Sequence, residues 1–384
     1  MKKLFFLSSL VSLIAVAAHG ASINELRITV DAAEYTRATA TPQKYDFKAA
    51  KLSVNGAPAT AAELNIRGQN CLKASRRCFG LKSETKITLN GENGLSAKSV
   101  NLVSMWEDQG YVSSRIGYEF FKSTGFFNLR TEYAEVFIND VSNGLYLVTE
   151  KPKKAVEQYV PDPFVARRGM EYRFEVAEPA PAGSKHTDAE YLAAFKTMMN
   201  EMKPLVGGPL RTRLDQTLNL ELYMKWLVVN SILKNGDYTD EVFFYADTRE
   251  KQIRFNVFPW DMDDLFRPPH AGAPNRRYAN EIATGLLYSF ENPVDVKIGT
   301  DTVLYADLKQ LATPILRDRA ADAVVDRVID TVGRAIAPYL DRPTVLAASA
   351  RDHGVALTKA KILKMLETRR NDIKTRRDLL KTRL

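Results

Sequence analysis

The strongest constraint on this fold is a change of hydrophobic period along the chain. From Ile23 to about Leu102, apolar and polar residues alternate in short runs, 26–30, 51–54, 62–66, 79–82 and 86–89, punctuated by Asn55-Gly56 and Asn90-Gly91. A period of two is a strand pattern, and Asn-Gly between such runs is hairpin chemistry because both residues tolerate positive φ. A helical stretch follows over 113–123, with Ile116, Phe120 and Phe121 on one face. Two more strands, 133–139 and 144–150, flank a turn at Asp140 to Asn143. Residues 151–184 are proline-rich and irregular and read as a connecting loop or insertion. Beyond them the period becomes helical. Leu222, Trp226, Val229 and Leu233 recur at helix spacing between about Leu220 and Lys234, and Asn235-Gly236 supplies the stop. Runs 241–246 and 252–258 form another hairpin across the polar turn 247–251, and the remainder to Leu384 is largely helical. The class is α+β, with a β-rich part over 21–160 and a mainly helical part over 161–384.

Ahead of this lies a different kind of segment. Lys2 and Lys3 precede an apolar run over residues 4–18, with Ala18 and Gly20 before a cut ahead of Ala21. That is the pattern of a secretory signal peptide, residues 1–20, and about 15 apolar residues fall short of the ~20 that a membrane span needs. The expected location is exported, periplasmic or extracellular, with no transmembrane segment after cleavage. The two cysteines, Cys71 and Cys78, are then expected to form a local disulfide. The formal charge of +8 is weighted toward the C-terminus through Arg369, Arg370, Lys374, Arg376, Arg377, Lys381 and Arg383. A charge run on a helix reads as a solvated face, and no nucleic-acid partner is expected.

Chemistry concentrates at the last hairpin. Asn235-Gly236-Asp237 precedes its first strand, and Asp261, Asp263 and Asp264 follow its second. A hairpin brings its ends together, so these acids converge. Crowded carboxylates repel unless a proton or a divalent cation relieves them, and magnesium favours oxygen ligands together with phosphate. On spacing alone the pattern fits equally a cation site or two aspartate-rich surface turns.

Several blocks, in order, resemble one family. Ile66-Arg67-Gly68 followed by Arg76-Arg77-Cys78-Phe79-Gly80-Leu81-Lys82 is similar to the N-terminal signature of the CotH family. The segment from Trp106 to Arg115, with Asp108 and Arg115, resembles its aspartate-to-arginine segment, and residues 135–139 through 144–150 resemble its hairpin ending in glutamate. Asn235-Gly236-Asp237 and Phe258-Pro259-Trp260-Asp261-Met262-Asp263 are similar to its two acidic motifs. The resemblance implies an atypical, secreted protein-kinase-like fold that uses ATP and magnesium to phosphorylate a protein substrate. Carried over, Asp237 is the catalytic aspartate, Asp261 and Asp263 hold the metal, and Arg67, Arg77, Lys82 and Glu150 line the nucleotide pocket. Two positions depart from the family pattern. Arg76-Arg77 replaces a lysine pair, and Glu241 replaces an asparagine metal ligand, where its carboxylate would bind magnesium instead. The rival reading is a noncatalytic envelope protein that keeps the shell to bind a partner.

Overall fold

The computed structural model describes residues 23–384 apart from 109, 128, 170–172, 239–241 and 291. The expected signal peptide and the metal ligand expected at Glu241 therefore lie outside the described residues. The first eight strands are β1 (Glu25–Val30), β2 (Tyr45–Asp46), β3 (Ala50–Val54), β4 (Thr60–Arg67), β5 (Cys78–Thr88), β6 (Ser96–Val103), β7 (Thr131–Ile138) and β8 (Val141–Glu150). β1, β3, β4, β7 and β8 answer to predicted runs, β5 runs unbroken through both 79–82 and 86–89, and β2 and β6 are not among the expected strands.

What alternation does not predict is closure. β4 bonds to β3 on one side and to β5 on the other, so the order β4-β3-β1-β7-β8-β6-β5 returns on itself as a seven-stranded barrel, with β2 added alongside β4. Closure removes the edges that an open sheet leaves unpaired. β1 enters between β3, antiparallel, and β7, parallel. The barrel interior is filled by Leu26, Ile28, Leu52, Leu64, Ile66, Phe79, Leu81, Val100, Leu102, Val136, Tyr146 and Val148. Alternate residues of β7 and β8, among them Tyr133, Leu145 and Leu147, point outward into the second, larger core. Hence every residue of β7 is buried. A strand covered on both faces loses the polar half of its alternation.

Turn chemistry works locally. Asn55 and Gly56 both take positive φ, 51° and 78°, as a two-residue hairpin turn requires. At the next hairpin the turn falls at Asn139 and Asp140 (φ 49° and 62°), not at Asp140 to Asn143, and β8 starts at once with Val141. Asn143 and Gly144 instead form a bulge where the β7–β8 register shifts between Glu135 and Phe137. Gly144, at φ 85°, is needed there because a Cβ would sit 2.5 Å from the Cβ of Ala348.

The proline-rich stretch is not merely a loop. It carries β9 (Phe164–Arg168) and β10 (Phe174–Glu178), which join β11 (Val242–Ala246) and β12 (Asn256–Phe258) in an antiparallel sheet of order β10-β9-β11-β12. Phe164, Phe174, Phe244 and Phe255 pack together with Tyr191 and Phe195 of the Asp188–Glu201 helix. The prolines confine these strands to short pieces, which hides them from a pattern that seeks long runs.

The Leu220–Ile232 helix starts where the Asn219 side chain accepts from the Leu222 N–H (3.2 Å), and it is buried on nearly every side. Its left-handed stop is Lys234, φ 49°, two residues ahead of the glycine. The basic C-terminal helix, Lys359–Lys381, is not a bare solvated face. Arg370 bridges Asp326 (2.7 Å) and Asp330 (2.9 Å) of the Asp322–Ile336 helix, and Lys374 reaches Asp326 at 2.7 Å. Buried Arg376 donates to the Ser231 carbonyl (3.1 Å) at the end of the Leu220–Ile232 helix, where the dipole is negative. Among the described residues no helix is long and apolar enough to cross a membrane.

Candidate functional site

The hairpin of β11 and β12, with Phe243 opposite Phe258, brings its flanks together. The Gly236 N–H donates to the Asp264 carbonyl (3.0 Å), and the His270 N–H donates to the Gly236 carbonyl (3.0 Å). A Cβ on Gly236 would lie 2.5 Å from the Pro268 carbonyl oxygen, so only glycine permits this approach. Beneath it, buried Asn235 donates from Nδ2 to Asn230 Oδ1 (2.9 Å) and accepts the Asp237 N–H on Oδ1 (3.2 Å). Asp237 thus stands on a turn pinned from below. Across from it, Asp261 and Phe266 are held at φ 52° and 62°. Non-glycine residues occupy that region at a cost of order 1 kcal/mol or more, which the surrounding contacts must offset.

The Ser113–Ser123 helix packs against this turn. Gly117 makes that contact possible, since a Cβ there would stand 2.6 Å from Leu265 Cδ1 and 3.1 Å from Met262. The next residue, Tyr118, is buried and receives a hydrogen bond from the Asp261 backbone N–H. Burial pushes its hydroxyl well above the ordinary tyrosine value, the carboxylates of Asp261 and Asp263 push it further, and Arg67 pulls it back. Tyr118 therefore marks the place where Arg67, at the end of barrel strand β4, and the two aspartates act on one point.

Arg67 also acts on Lys151, the first residue after β8. Burial, then repulsion from Arg67, lowers the Lys151 ammonium to about 8, with Glu178 opposing the shift. Neither Tyr118 nor Lys151 is singled out by sequence. Lys151 opens the proline-rich stretch that reads as a connecting loop, and Tyr118 is not among Ile116, Phe120 and Phe121, which mark the face of its predicted helix. The signal available was that Lys151 directly follows the strand ending in Glu150.

The remaining expected residues lie elsewhere. Arg77 donates its guanidinium to the backbone carbonyls of Leu72, Ala74 (2.7 Å) and Thr39 (2.8 Å) and so ties down the disulfide loop. Lys82 pairs with Glu63 (2.7 Å), and both side chains are well exposed. Glu150 shares the alternation of Tyr146 and Val148, which face the barrel interior. Its carboxylate accepts from the Arg130 N–H (3.1 Å) and from Gln158 (3.0 Å), and burial raises it above the ordinary range. The structure thus brings together Arg67, Asp261 and Asp263 near Tyr118, and directs Arg77, Lys82 and Glu150 to other partners. Cys71 and Cys78 are bonded, with Cα atoms 5.5 Å apart.

Other motif residues also have structural work. Arg76 is fully buried and ion-paired to Asp352 at 2.5 Å. Asp108 accepts the Ser114 N–H (3.1 Å) at the start of the Ser113–Ser123 helix, and Arg115 joins Glu119 (3.1 Å) and Glu132 (3.4 Å). Asp264 is bridged to Arg267 (3.1 Å), which also holds Glu107 (2.9 Å), and burial and Asp264 together raise the Glu107 carboxyl. Arg276 and Arg277 end the short Ala273–Arg277 helix, exposed to solvent.

Among the described residues, no three His, Cys, Asp or Glu side chains gather as a metal cluster. The two carboxylates that act on Tyr118, those of Asp261 and Asp263, are oxygen donors. That set fits a hard cation which keeps waters and completes its shell with phosphate, as magnesium does. The family described as CotH kinase protein matches the chain over residues 64–377. No curated protein matches it.

Proposed function

The chain belongs to the CotH kinase family, and on that premise we propose that it is an exported, atypical protein kinase that transfers the ATP γ-phosphate to a serine or threonine hydroxyl of a protein substrate. The family as a whole implies nucleotide and metal use; magnesium, the acceptor and export are our reading. The observation that carries it is the closure of the hairpin flanks by the Gly236 N–H on the Asp264 carbonyl (3.0 Å), which draws together the turns that bear Asp237, Asp261 and Asp263, with Arg67 of the barrel near enough to act on the same Tyr118 as the last two. In this reading the barrel, within 21–160, serves as the N-terminal lobe of a kinase-like fold and 161–384 as the C-terminal lobe.

Asp261 and Asp263 would hold magnesium against the phosphates, and when bound that ion would neutralise charge on the transferring group. Arg67, whose guanidinium also donates to Asn101 Oδ1, would add positive charge and a planar fork toward phosphate oxygens. Asp237, fixed by Asn235, would orient the acceptor hydroxyl and take its proton as the oxygen attacks phosphorus and the bond to the departing ADP oxygen breaks. Such chemistry asks mainly for positioning and charge compensation, which rigid turns supply. Export is supported by the signal-peptide pattern at 1–20 and by the disulfide, which oxidising compartments favour.

Calorimetric titration with ATP and magnesium tests the reading. We expect binding that is lost in Asp261→Ala, and phosphate transfer that is lost in Asp237→Ala while binding is retained. Absence of ATP binding, or binding indifferent to Asp261→Ala, would replace this reading with the noncatalytic one.

A further inference from the structure

The outer wall of the barrel carries a row of residues whose polar side chains the fold uses only in part: Asn65 Oδ1 accepts the Gly80 N–H (3.1 Å). Asn65, Gly80, Asn101, Thr149 and Thr131 are successive register partners across β4, β5, β6, β8 and β7. Their neighbours Val100, Leu102 and Val148 fill the barrel, so by alternation this row faces outward. Asn101 is 2 % exposed and Thr149 is 1 % exposed, yet among the described residues neither Asn101 Nδ2 nor Thr149 Oγ1 has a hydrogen-bond partner. Leaving such groups unpaired costs about 1–3 kcal/mol each, so their persistence calls for a use.

The orientation of Asn101 follows from its neighbour. The Arg67 guanidinium donates to Asn101 Oδ1. Because arginine has only donors, the amide must turn its oxygen to Arg67 and its NH2 group the other way. Lys151, the first residue after β8 and two beyond Thr149, is close enough to Arg67 for mutual repulsion. Gly80 leaves the wall flat between Asn65 and Asn101, since a Cβ there would overlap the Asn65 side chain. Arg67, Lys151, the Asn101 amide and the Thr149 hydroxyl are thus hydrogen-bond donors gathered on one patch. The acid that acts on Lys151 there is Glu178 of β10. Two of these, Asn101 Nδ2 and Thr149 Oγ1, have no acceptor among the described residues, and with two cations on the same patch they suit a ligand rich in anionic oxygens.

We propose that Asn101, Thr149 and Lys151, together with Arg67, form a subsite for the phosphate oxygens of a polyphosphate chain. This rests on the nucleotide reading above and deepens it. The barrel wall would bind the phosphates from one side, and Asp261 and Asp263, which share Tyr118 with Arg67, would face them from the other. Selectivity follows: affinity should reside in the phosphate chain, and the nucleoside alone should gain nothing from these residues.

The test uses the full chain with magnesium and three probes, ATP, inorganic tripolyphosphate and adenosine, in the parent and in Asn101→Asp, Thr149→Val and Lys151→Met. Asn101→Asp keeps size and the Arg67 contact but turns the free donor into a negative oxygen. Circular dichroism and thermal melting establish that each variant folds. We expect ATP and tripolyphosphate to bind each variant about ten- to a hundredfold more weakly, the loss of one charge-assisted hydrogen bond, and adenosine to be unaffected. If folded Asn101→Asp and Lys151→Met bind ATP as tightly as the parent, the subsite is wrong and the nucleotide reading survives. If tripolyphosphate binds the parent, is lost in the variants and is not displaced by ATP, the subsite stands and the nucleotide reading falls. A parent that binds neither anion overturns both.

Discussion

Removing the carboxylate of Asp352 should destabilise the protein by about 3–5 kcal/mol, the usual effect of stranding one member of a buried ion pair. Both side chains of the Arg76–Asp352 pair are 0 % exposed, and Nε lies 2.5 Å from Oδ2. The rest of the Arg76 fork donates to the carbonyls of Ser104 (2.6 Å), Leu145 (2.9 Å) and Asn143 (3.3 Å). This arginine therefore welds the disulfide loop and the β7–β8 hairpin to the Ala350–His353 helix near the end of the chain. In Asp352→Ala the guanidinium keeps its three carbonyls but loses its counter-charge. In Arg76→Lys the charge remains, but an ammonium cannot span the same acceptors, and one or two buried carbonyls left unsatisfied give about 2–5 kcal/mol. For a chain of this length the unfolding entropy is roughly 0.8 kcal/mol/K, so either change should lower the melting temperature by about 3–6 °C. Differential scanning calorimetry and urea unfolding measure it, with ATP titration in parallel. The reasoning fails if Asp352→Ala costs under about 1 kcal/mol. It also fails if Arg76→Lys leaves stability intact and changes nucleotide affinity, because Arg76 would then be acting as the phosphate-gripping residue its motif suggests.

Lys151 carries a pH prediction. Its folded value of about 8 lies below the ordinary 10.5, so the folded protein binds fewer protons than the unfolded chain between those values and gains stability as pH rises through that window. An anion bound beside Lys151 and Arg67 would restore the proton, so ATP affinity should be flat below pH 8 and fall by up to about tenfold per unit above it. A profile unchanged by Lys151→Met would sink this. Gly117→Ala forces a methyl to within 2.6 Å of Leu265 Cδ1 and should cost about 1–3 kcal/mol. It should also weaken magnesium-dependent ATP binding by shifting the Asp261 turn from Tyr118, and unaltered affinity would show that this packing does not position the acids. Replacing Cys71 and Cys78 by serine opens a loop of sequence separation 7, for which chain entropy gives about 2 kcal/mol. Denaturant midpoints of the two forms decide it.

Much of the element pattern was legible because it is local. Period two marked β1, β3, β4 and β5, Asn55-Gly56 marked a hairpin, and the acids at 237 and 261 had to converge once the intervening runs paired. β9 and β10 were missed because their burial comes from Phe244, Phe255 and the Asp188–Glu201 helix, not from a run of their own. The β7–β8 turn was misplaced because a bulge at Asn143-Gly144 imitates turn composition.

The sequence by itself determined the class, many of the longer elements and the acidic hairpin, since propensity, turn chemistry and chain connectivity act between near neighbours. Tertiary structure alone decided closure, which needs β4 to bond β3 and β5 together, and β1 to meet β7 more than a hundred residues away. It also decided what each basic residue of the motifs does. Arg67, Arg76, Arg77 and Lys82 look alike in sequence, yet Arg67 meets Asn101, Arg76 meets Asp352, Arg77 meets backbone carbonyls and Lys82 meets Glu63. A long cation settles wherever burial and partners set its lowest free energy. Those partners, up to 276 residues away for Arg76, become neighbours only when the chain has folded.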